Sequence, residues 1–262
     1  MLNDELSNRI VIKGQGTPIV LIHGMGGPRV WEPIVEVLAK EYKVIIPTFP
    51  GYLGGEGVIE YNDKLYVEFL EQVRLQLGIE KWNVVGLSMG GRTAINYVLD
   101  YNKYVSSMVV IDSIGIGYMF PFVRIPILKT VFPKILYKIL SNPKNFKYLG
   151  SNDFVDIECE SFKNSTKWFE EMMCDNNIRL NFSRILSQVS LPKHEWKHKL
   201  KSVDIPTMIL WGKDDKTAPV NWAYELNKLI PNSELHILEK YRHMAVMERP
   251  DFFSKLIIKF IN

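Results

Sequence analysis

The stretch that most constrains this chain runs from Trp82 to Thr93, WNVVGLSMGGRT. Trp82 to Val85 has the apolar character of a buried strand, and a helical pattern begins almost directly after Ser88, which has Gly86 and Gly90 two positions to either side. Glycine lacks the Cβ that would collide with neighbouring backbone on a very sharp strand-to-helix turn, so this spacing lifts the serine hydroxyl out of the sheet edge. The new helix then points its first amides and the positive end of its dipole at any charge that develops beside the hydroxyl. G-x-S-x-G also arises by chance in ordinary turns; the strand before it and the helix after it give it the setting of a nucleophile.

The same alternation of apolar strand and helix runs along much of the chain. Asn8 to Lys13 and Pro18 to His23 read as two short strands, and the second delivers His23, Gly24, Met25, Gly26 and Gly27. Arg29 to Lys40 is an amphipathic helix, Lys43 to Pro47 a buried strand, Thr48 to Gly57 a glycine-rich loop and Tyr61 to Leu77 a helix closed by Gly78. Met89 to Tyr101 is the helix behind the serine, and Val105 to Asp112 the next strand. Later come a strand at Ile205 to Trp211, a helix at Pro219 to Leu229, a strand at Ser233 to Leu238 and a closing helix at Pro250 to Ile261. Such alternation predicts an α/β fold with a mostly parallel, doubly wound sheet.

The alternation stops at Ser113 and resumes near Ile205, and the sequence between is helical in flavour. The expected organisation is therefore a core of residues 1–113 and 202–262 with a helical cap, or lid, inserted as residues 114–201. Tyr118 to Leu140 is strongly apolar, broken by Pro121, Pro126 and Pro133, and carries Arg124, Lys129, Lys134 and Lys138. Prolines and charges argue against a membrane span, and no uninterrupted apolar run reaches the ~18 residues a span needs. A lid covering a substrate pocket is the favoured account, with a transient interfacial contact with a membrane as the weaker one.

A net charge of +3 and basic residues spread along the chain give no reason to expect nucleic acid as a partner. Cys159 and Cys174 fall in the cap, and Met1 to Ile10 has no apolar core that would read as a signal peptide. Free thiols in a cytoplasmic protein are the expectation.

A serine hydroxyl is a poor nucleophile until a base removes its proton, and an imidazole needs a carboxylate to fix its tautomer and balance its charge. The strand ending at Trp211 runs into Gly212, Lys213, Asp214, Asp215, Lys216, Thr217, Ala218 and Pro219, and the last strand is followed by Arg242, His243 and Met244. The order Ser88, Asp215, His243, with HGMGG upstream, resembles the α/β-hydrolase superfamily, in its serine-nucleophile branch with a helical cap. The similarity spans nearly the whole chain apart from the cap.

That resemblance implies an α/β-hydrolase fold and a catalytic set of Ser88, Asp215 and His243. Asp215 is preferred to Asp214 because the family's G-x-x-D-x-x-x-P pattern falls on Gly212, Asp215 and Pro219. Asp112, at the end of an earlier strand, is the other place this fold can carry its acid. The oxyanion donors it implies are the backbone amides of Met25 and Met89, with His23 bracing their loop, and Gly24, Arg92, Phe120 and Met244 are expected to line the pocket. No metal or organic cofactor is implied. His194-Glu195-Trp196-Lys197-His198 matches H-E-x-x-H, but its short, basic setting and the lack of a further histidine downstream read as a surface helix and not a zinc site.

The expected activity is hydrolysis of a carboxylic ester with a hydrophobic acyl group, by a monomer or homodimer. Arg242 in place of the usual glycine, and Thr48, Phe49 and Leu53 in a usually D-x-P-G-x-G stretch, depart from the family. Serine at 88 disfavours the epoxide-hydrolase and haloalkane-dehalogenase branches. Leu87 and Met244 stand where carbon–carbon bond hydrolases often have asparagine and tryptophan, which weakens that alternative. Ser88 to Arg92 also resembles the menaquinone-pathway lyase that makes a succinyl-hydroxy-cyclohexadiene carboxylate, where the arginine helps to bind an anionic substrate. A catalytically silent ligand-binding relative is an alternative of another class.

Overall fold

The computed structural model describes residues 4–142 and 144–262. Seven strands, β1 (Ile10–Lys13), β2 (Thr17–Ile22), β3 (Tyr42–Pro47), β4 (Trp82–Leu87), β5 (Val105–Ile111), β6 (Thr207–Gly212) and β7 (Ser233–Leu238), form one sheet in the order β1-β3-β2-β4-β5-β6-β7. Only β1 runs antiparallel to its neighbour. Successive residues of a strand point to opposite faces. Here both faces are covered: Val20 and Ile22 enter one buried cluster while Ile19 and Leu21 enter the other. That is why the inner strands read as largely continuous apolar runs, whereas β1 and β7, at the sheet edges, are partly exposed.

The covering helices are α1 (Glu32–Leu38), α2 (Asp63–Gln76) and α3 (Met89–Tyr101) before β5, and α8 (Asn221–Leu229) and α9 (Pro250–Ile261) towards the end. Asn62 starts α2 by accepting the Leu65 amide at 2.9 Å, a side-chain cap of the usual kind. Parallel register aligns Ile22 with Gly86, Leu87 with Ile111, Ile111 with Leu210 and Gly212 with Leu238. The loops that follow these residues therefore gather along one sheet edge, at the carboxyl ends of the strands, where open α/β sheets bind ligands.

Between β5 and β6 the chain carries α4 (Pro126–Leu140), α5 (Lys144–Gly150), α6 (Glu160–Cys174) and α7 (Asn176–Val189). The prolines act differently from the breaks expected of them. Pro121 opens a 3₁₀ turn and Pro126 occupies the first turn of α4, but Pro133 lies inside α4 without ending it. Proline at a helix start costs nothing, since that amide has no intrahelical partner. At 133 the lost bond is offset by packing of α4 along α7. Among the described residues no helix is long and apolar enough to cross a membrane.

Candidate active site

Ser88 sits between β4 and α3 with φ 58° and ψ −116°, a backbone conformation that costs on the order of 1–3 kcal/mol for a residue with a side chain. The flanking glycines make that turn buildable. A methyl group on Gly86 would run into the carbonyl of Gly90, and one on Gly90 into the carbonyl of Ile22 on the neighbouring strand. The Ser88 amide donates to Ile111 O at 2.9 Å, which ties the turn to β5.

The three side chains expected to act together do meet. His243 Nε2 lies 2.9 Å from Ser88 Oγ, and His243 Nδ1 lies 2.7 Å from Asp215 Oδ2. With Nδ1–H donating to the carboxylate, Nε2 is left as the acceptor for the serine proton. The other Asp215 oxygen accepts the amides of Thr217 and Ala218 at 2.7 and 2.8 Å, so the carboxylate is fixed from both sides. All three residues are buried, Ser88 6% and His243 5% exposed. Burial alone would lower the His243 pKa; the carboxylates of Asp215 and, more weakly, Asp153 and Asp112 outweigh it and hold the imidazole above its ordinary value.

Asp112, the other candidate acid, is close by without serving His243. Its Oδ1 accepts the Gly212 amide at 2.8 Å, and among the described residues no donor reaches Oδ2. Burial first, and then the charge on Asp215, pushes its carboxyl well above the usual range. Geometry makes Asp215 the partner of the imidazole, since it is Asp215 Oδ2 that lies at Nδ1. Asp214 is exposed.

Gly24 lies directly against Ser88: an added Cβ would stand 3.0 Å from the serine Cβ. Among the described residues the amides of Met25 and Met89 meet no acceptor, so both can donate to an oxyanion beside Ser88. His23 braces their loop. Its Nε2 accepts the Phe49 amide at 3.1 Å and its Nδ1 lies 2.8 Å from the Gly24 carbonyl, and burial lowers its pKa to about 4. The neutral ring is thus held in one tautomer. Tyr52 donates to Met25 Sδ at 3.5 Å, and Trp168 of α6 lies over Gly27 and beside Arg29.

A model of the alpha/beta hydrolase fold matches residues 17–250 of the sequence. The chain belongs to that family. It is 26% identical over 256 residues to a 2-hydroxy-6-oxononadienedioate/2-hydroxy-6-oxononatrienedioate hydrolase of Pseudomonas putida, covering 93% of this chain and 87% of that protein. The fold also matches a meta-cleavage product hydrolase of Pseudomonas fluorescens, with a TM-score of 0.79, 22% identity and coverage of 97% and 93%. An esterase of Exiguobacterium antarcticum superposes with a TM-score of 0.82 at 18% identity, covering 96% and 94%. Both structural likenesses speak for the fold alone.

The loops of the sheet meet the helical stretch between β5 and β6 through contacts that no motif announces. Arg242, the departure from glycine, donates to Phe154 O at 2.8 Å, the Met244 amide donates to Asp153 O at 2.8 Å, and Thr217 Oγ1 donates to Asp153 Oδ1 at 2.6 Å. Residues 153–154 of the insertion are therefore fastened to the loops bearing His243 and Asp215. Glu248 adds bonds from the Val155 and Asp156 amides.

Arg92 corrects an expectation. Its Nε and Nη2 donate to Asp63 at 2.7 and 2.8 Å, and Nη1 donates to Val189 O and Leu191 O at 3.1 and 2.6 Å. Its guanidinium is spent on α2 and on the exit of α7, so it does not line a pocket at Ser88. Phe120 stacks with Phe122 and packs edge-on against Phe132 in an aromatic cluster of the insertion. The H-E-x-x-H stretch forms only a four-residue helix, Trp196–Lys199, which begins after Glu195, and Glu195 pairs with Lys193. Among the described residues no cluster of ligating side chains could hold a metal.

Proposed function

We propose that this α/β hydrolase cleaves carboxylic esters of a hydrophobic acyl group through an acyl-enzyme on Ser88. The observation that carries the reading is the continuous relay Ser88 Oγ, His243 Nε2, His243 Nδ1, Asp215 Oδ2, at 2.9 and 2.7 Å, with the amides of Met25 and Met89, unpartnered among the described residues, in the adjoining turns. Ser88 Oγ attacks the ester carbonyl as His243 Nε2 takes its proton, and the carbonyl oxygen becomes an oxyanion held by the two amides. Collapse expels the alcohol, which takes the proton back from Nε2. Water, deprotonated by the same nitrogen, then attacks the acyl carbonyl and releases the acid and Ser88. Asp215 orients the imidazole through Nδ1 and balances the imidazolium as it forms.

A second reading has one specific support. The Pseudomonas putida relative acts on a dienedioate, so a carbon–carbon bond hydrolase must be weighed. A substrate of that kind carries carboxylates, whose burial requires a cation. Each guanidinium that the fold buries, those of Arg74 and Arg92, is already paired with a carboxylate. The same pairing of Arg92 counts against the lyase reading, which needs it for an anionic substrate. The deciding assay compares nitrophenyl esters of butyric to octanoic acid with 2-hydroxy-6-oxo-6-phenylhexa-2,4-dienoate. We expect kcat/KM for the best ester to exceed that for the dienoate by at least about tenfold, a difference of ~1.4 kcal/mol in transition-state binding. The reverse order would replace the ester reading with the carbon–carbon one.

The pH profile follows from the same relay. Only neutral His243 can accept the serine proton, so kcat/KM rises as pH increases through the pKa of the folded protein. Asp215 holds that pKa above 6.5. The acid limb should therefore have its midpoint on the alkaline side of 6.5, and Asp215→Asn should move it downward while lowering the plateau. A limb centred below 6.5 in the wild type would contradict the role given to Asp215.

A further inference from the structure

Half of the apolar stretch in the insertion faces outward. Leu136 and Leu140 of α4 are buried at 7% and 2%, and Phe132 is half-buried against Phe120 and Phe122. One position over, Ile127, Val131, Ile135 and Ile139 are 70%, 39%, 50% and 40% exposed. Spacing of four residues lines these side chains up in a single row, along a helix of 15 residues and so about 22 Å in length. Among the described residues, nine of the seventeen exposed large apolar side chains fall between Phe122 and Leu149, so this face stands apart from the scattered apolar residues of an ordinary surface.

Charge selects what such a face meets. Between Asp112 and Asp153 the chain has six basic residues, Arg124, Lys129, Lys134, Lys138, Lys144 and Lys147, and no acidic one. Lys134 and Lys138 are exposed beside the isoleucine row, and among the described residues no carboxylate pairs with Arg124, Lys129, Lys134, Lys138 or Lys147. A second copy of the chain docked face to face would bring these like charges together. An apolar row rimmed by lysines instead matches a surface with hydrocarbon under a layer of negative charge.

We infer that the outer face of α4 docks on anionic lipid bilayers, with the isoleucine row in the boundary between headgroups and acyl chains and the lysines at the lipid phosphates. The inference goes beyond the proposed ester hydrolysis, and its test reads binding alone, so the two stand or fall separately. The test is flotation with vesicles of phosphatidylglycerol and phosphatidylcholine in equal parts, against vesicles of phosphatidylcholine alone. Wild-type protein should float with the mixed vesicles and remain behind with the neutral ones. Lys134→Gln/Lys138→Gln should weaken partitioning on the order of 25-fold, about fivefold per lysine, and Ile127→Asp/Ile135→Asp should abolish it. All four positions are exposed, so thermal melting of both variants should match the wild type. Wild-type protein left unbound by the mixed vesicles, or aspartate variants that float as well as wild type, would overturn the inference. A dimer in sedimentation velocity that Ile127→Asp/Ile135→Asp dissolves, without vesicle binding, would assign the face to a second copy and overturn it equally.

Discussion

Replacing Ser88 by alanine is expected to lower ester turnover by on the order of 10⁴- to 10⁶-fold while leaving the fold intact. The size of the loss follows from the relay: His243 would have no hydroxyl to activate, and only binding and the amides of Met25 and Met89 would remain to stabilise a transition state. The small expected effect on stability follows from the change itself, since one hydroxyl is removed and its partner, His243, keeps its bond to Asp215. Labelling with a fluorophosphonate checks the same point without a substrate. An adduct on Ser88 in the wild type, absent in Ser88→Ala and in His243→Ala, is the expected result. Alanine protein that keeps more than about a tenth of wild-type turnover would mean that another group attacks, and the mechanism would have to be rebuilt around it.

The elbow could be read from sequence because its requirements are local. Gly86 and Gly90 are dictated by carbonyl groups only strand-width away, and β4 and β6, which carry the loops of Ser88 and Asp215, are buried on both faces, so each announces itself within six residues; β7, SELHIL, is half-exposed and announces itself less plainly. The loop order of Ser88, Asp215 and His243 was legible because each residue lies in the loop that follows a strand: Ser88 directly after Leu87, Asp215 shortly after Gly212 and His243 further on after Leu238. Asp153 and Trp168 carry no such signature. Asp153 reaches the site because the insertion folds residue 153 back onto residues 217 and 244, a pairing set by helix packing, which short spacing does not encode. The only sequence signal is that Asp153 is the first acidic residue after Asp112. The aim of the α4 side chains was hidden similarly, because an apolar run states how much surface is greasy and not which half is covered. Pro133 shows propensity losing to packing: α7 holds the helix together across it.

Arg92, whose role the sequence left open between an anion-binding residue and a structural one, sets the second large effect. Asp63→Ala should destabilise the protein by about 3–5 kcal/mol, because it strips the carboxylate from a guanidinium whose side chain is only 5% exposed and leaves a buried charge facing two carbonyls. For a domain of this size that corresponds to a fall in Tm of roughly 10 °C, readable by calorimetry. The pH dependence has a definite sign. Burial alone would raise the Asp63 pKa, but Arg92 and then Lys193 lower it to about 2, so its contribution is present above 3.8 and is lost as pH falls towards 2. In Asp63→Ala that acid-labile increment should vanish. The double variant Asp63→Leu/Arg92→Leu removes both charges and should recover much of the loss, since neither partner is then left buried alone. It should also leave KM for a neutral ester unchanged. If Arg92 instead held an anionic substrate, the double variant would regain stability and still fail to bind that substrate, so stability and KM together separate a strap between α3 and the insertion from a residue of the binding site.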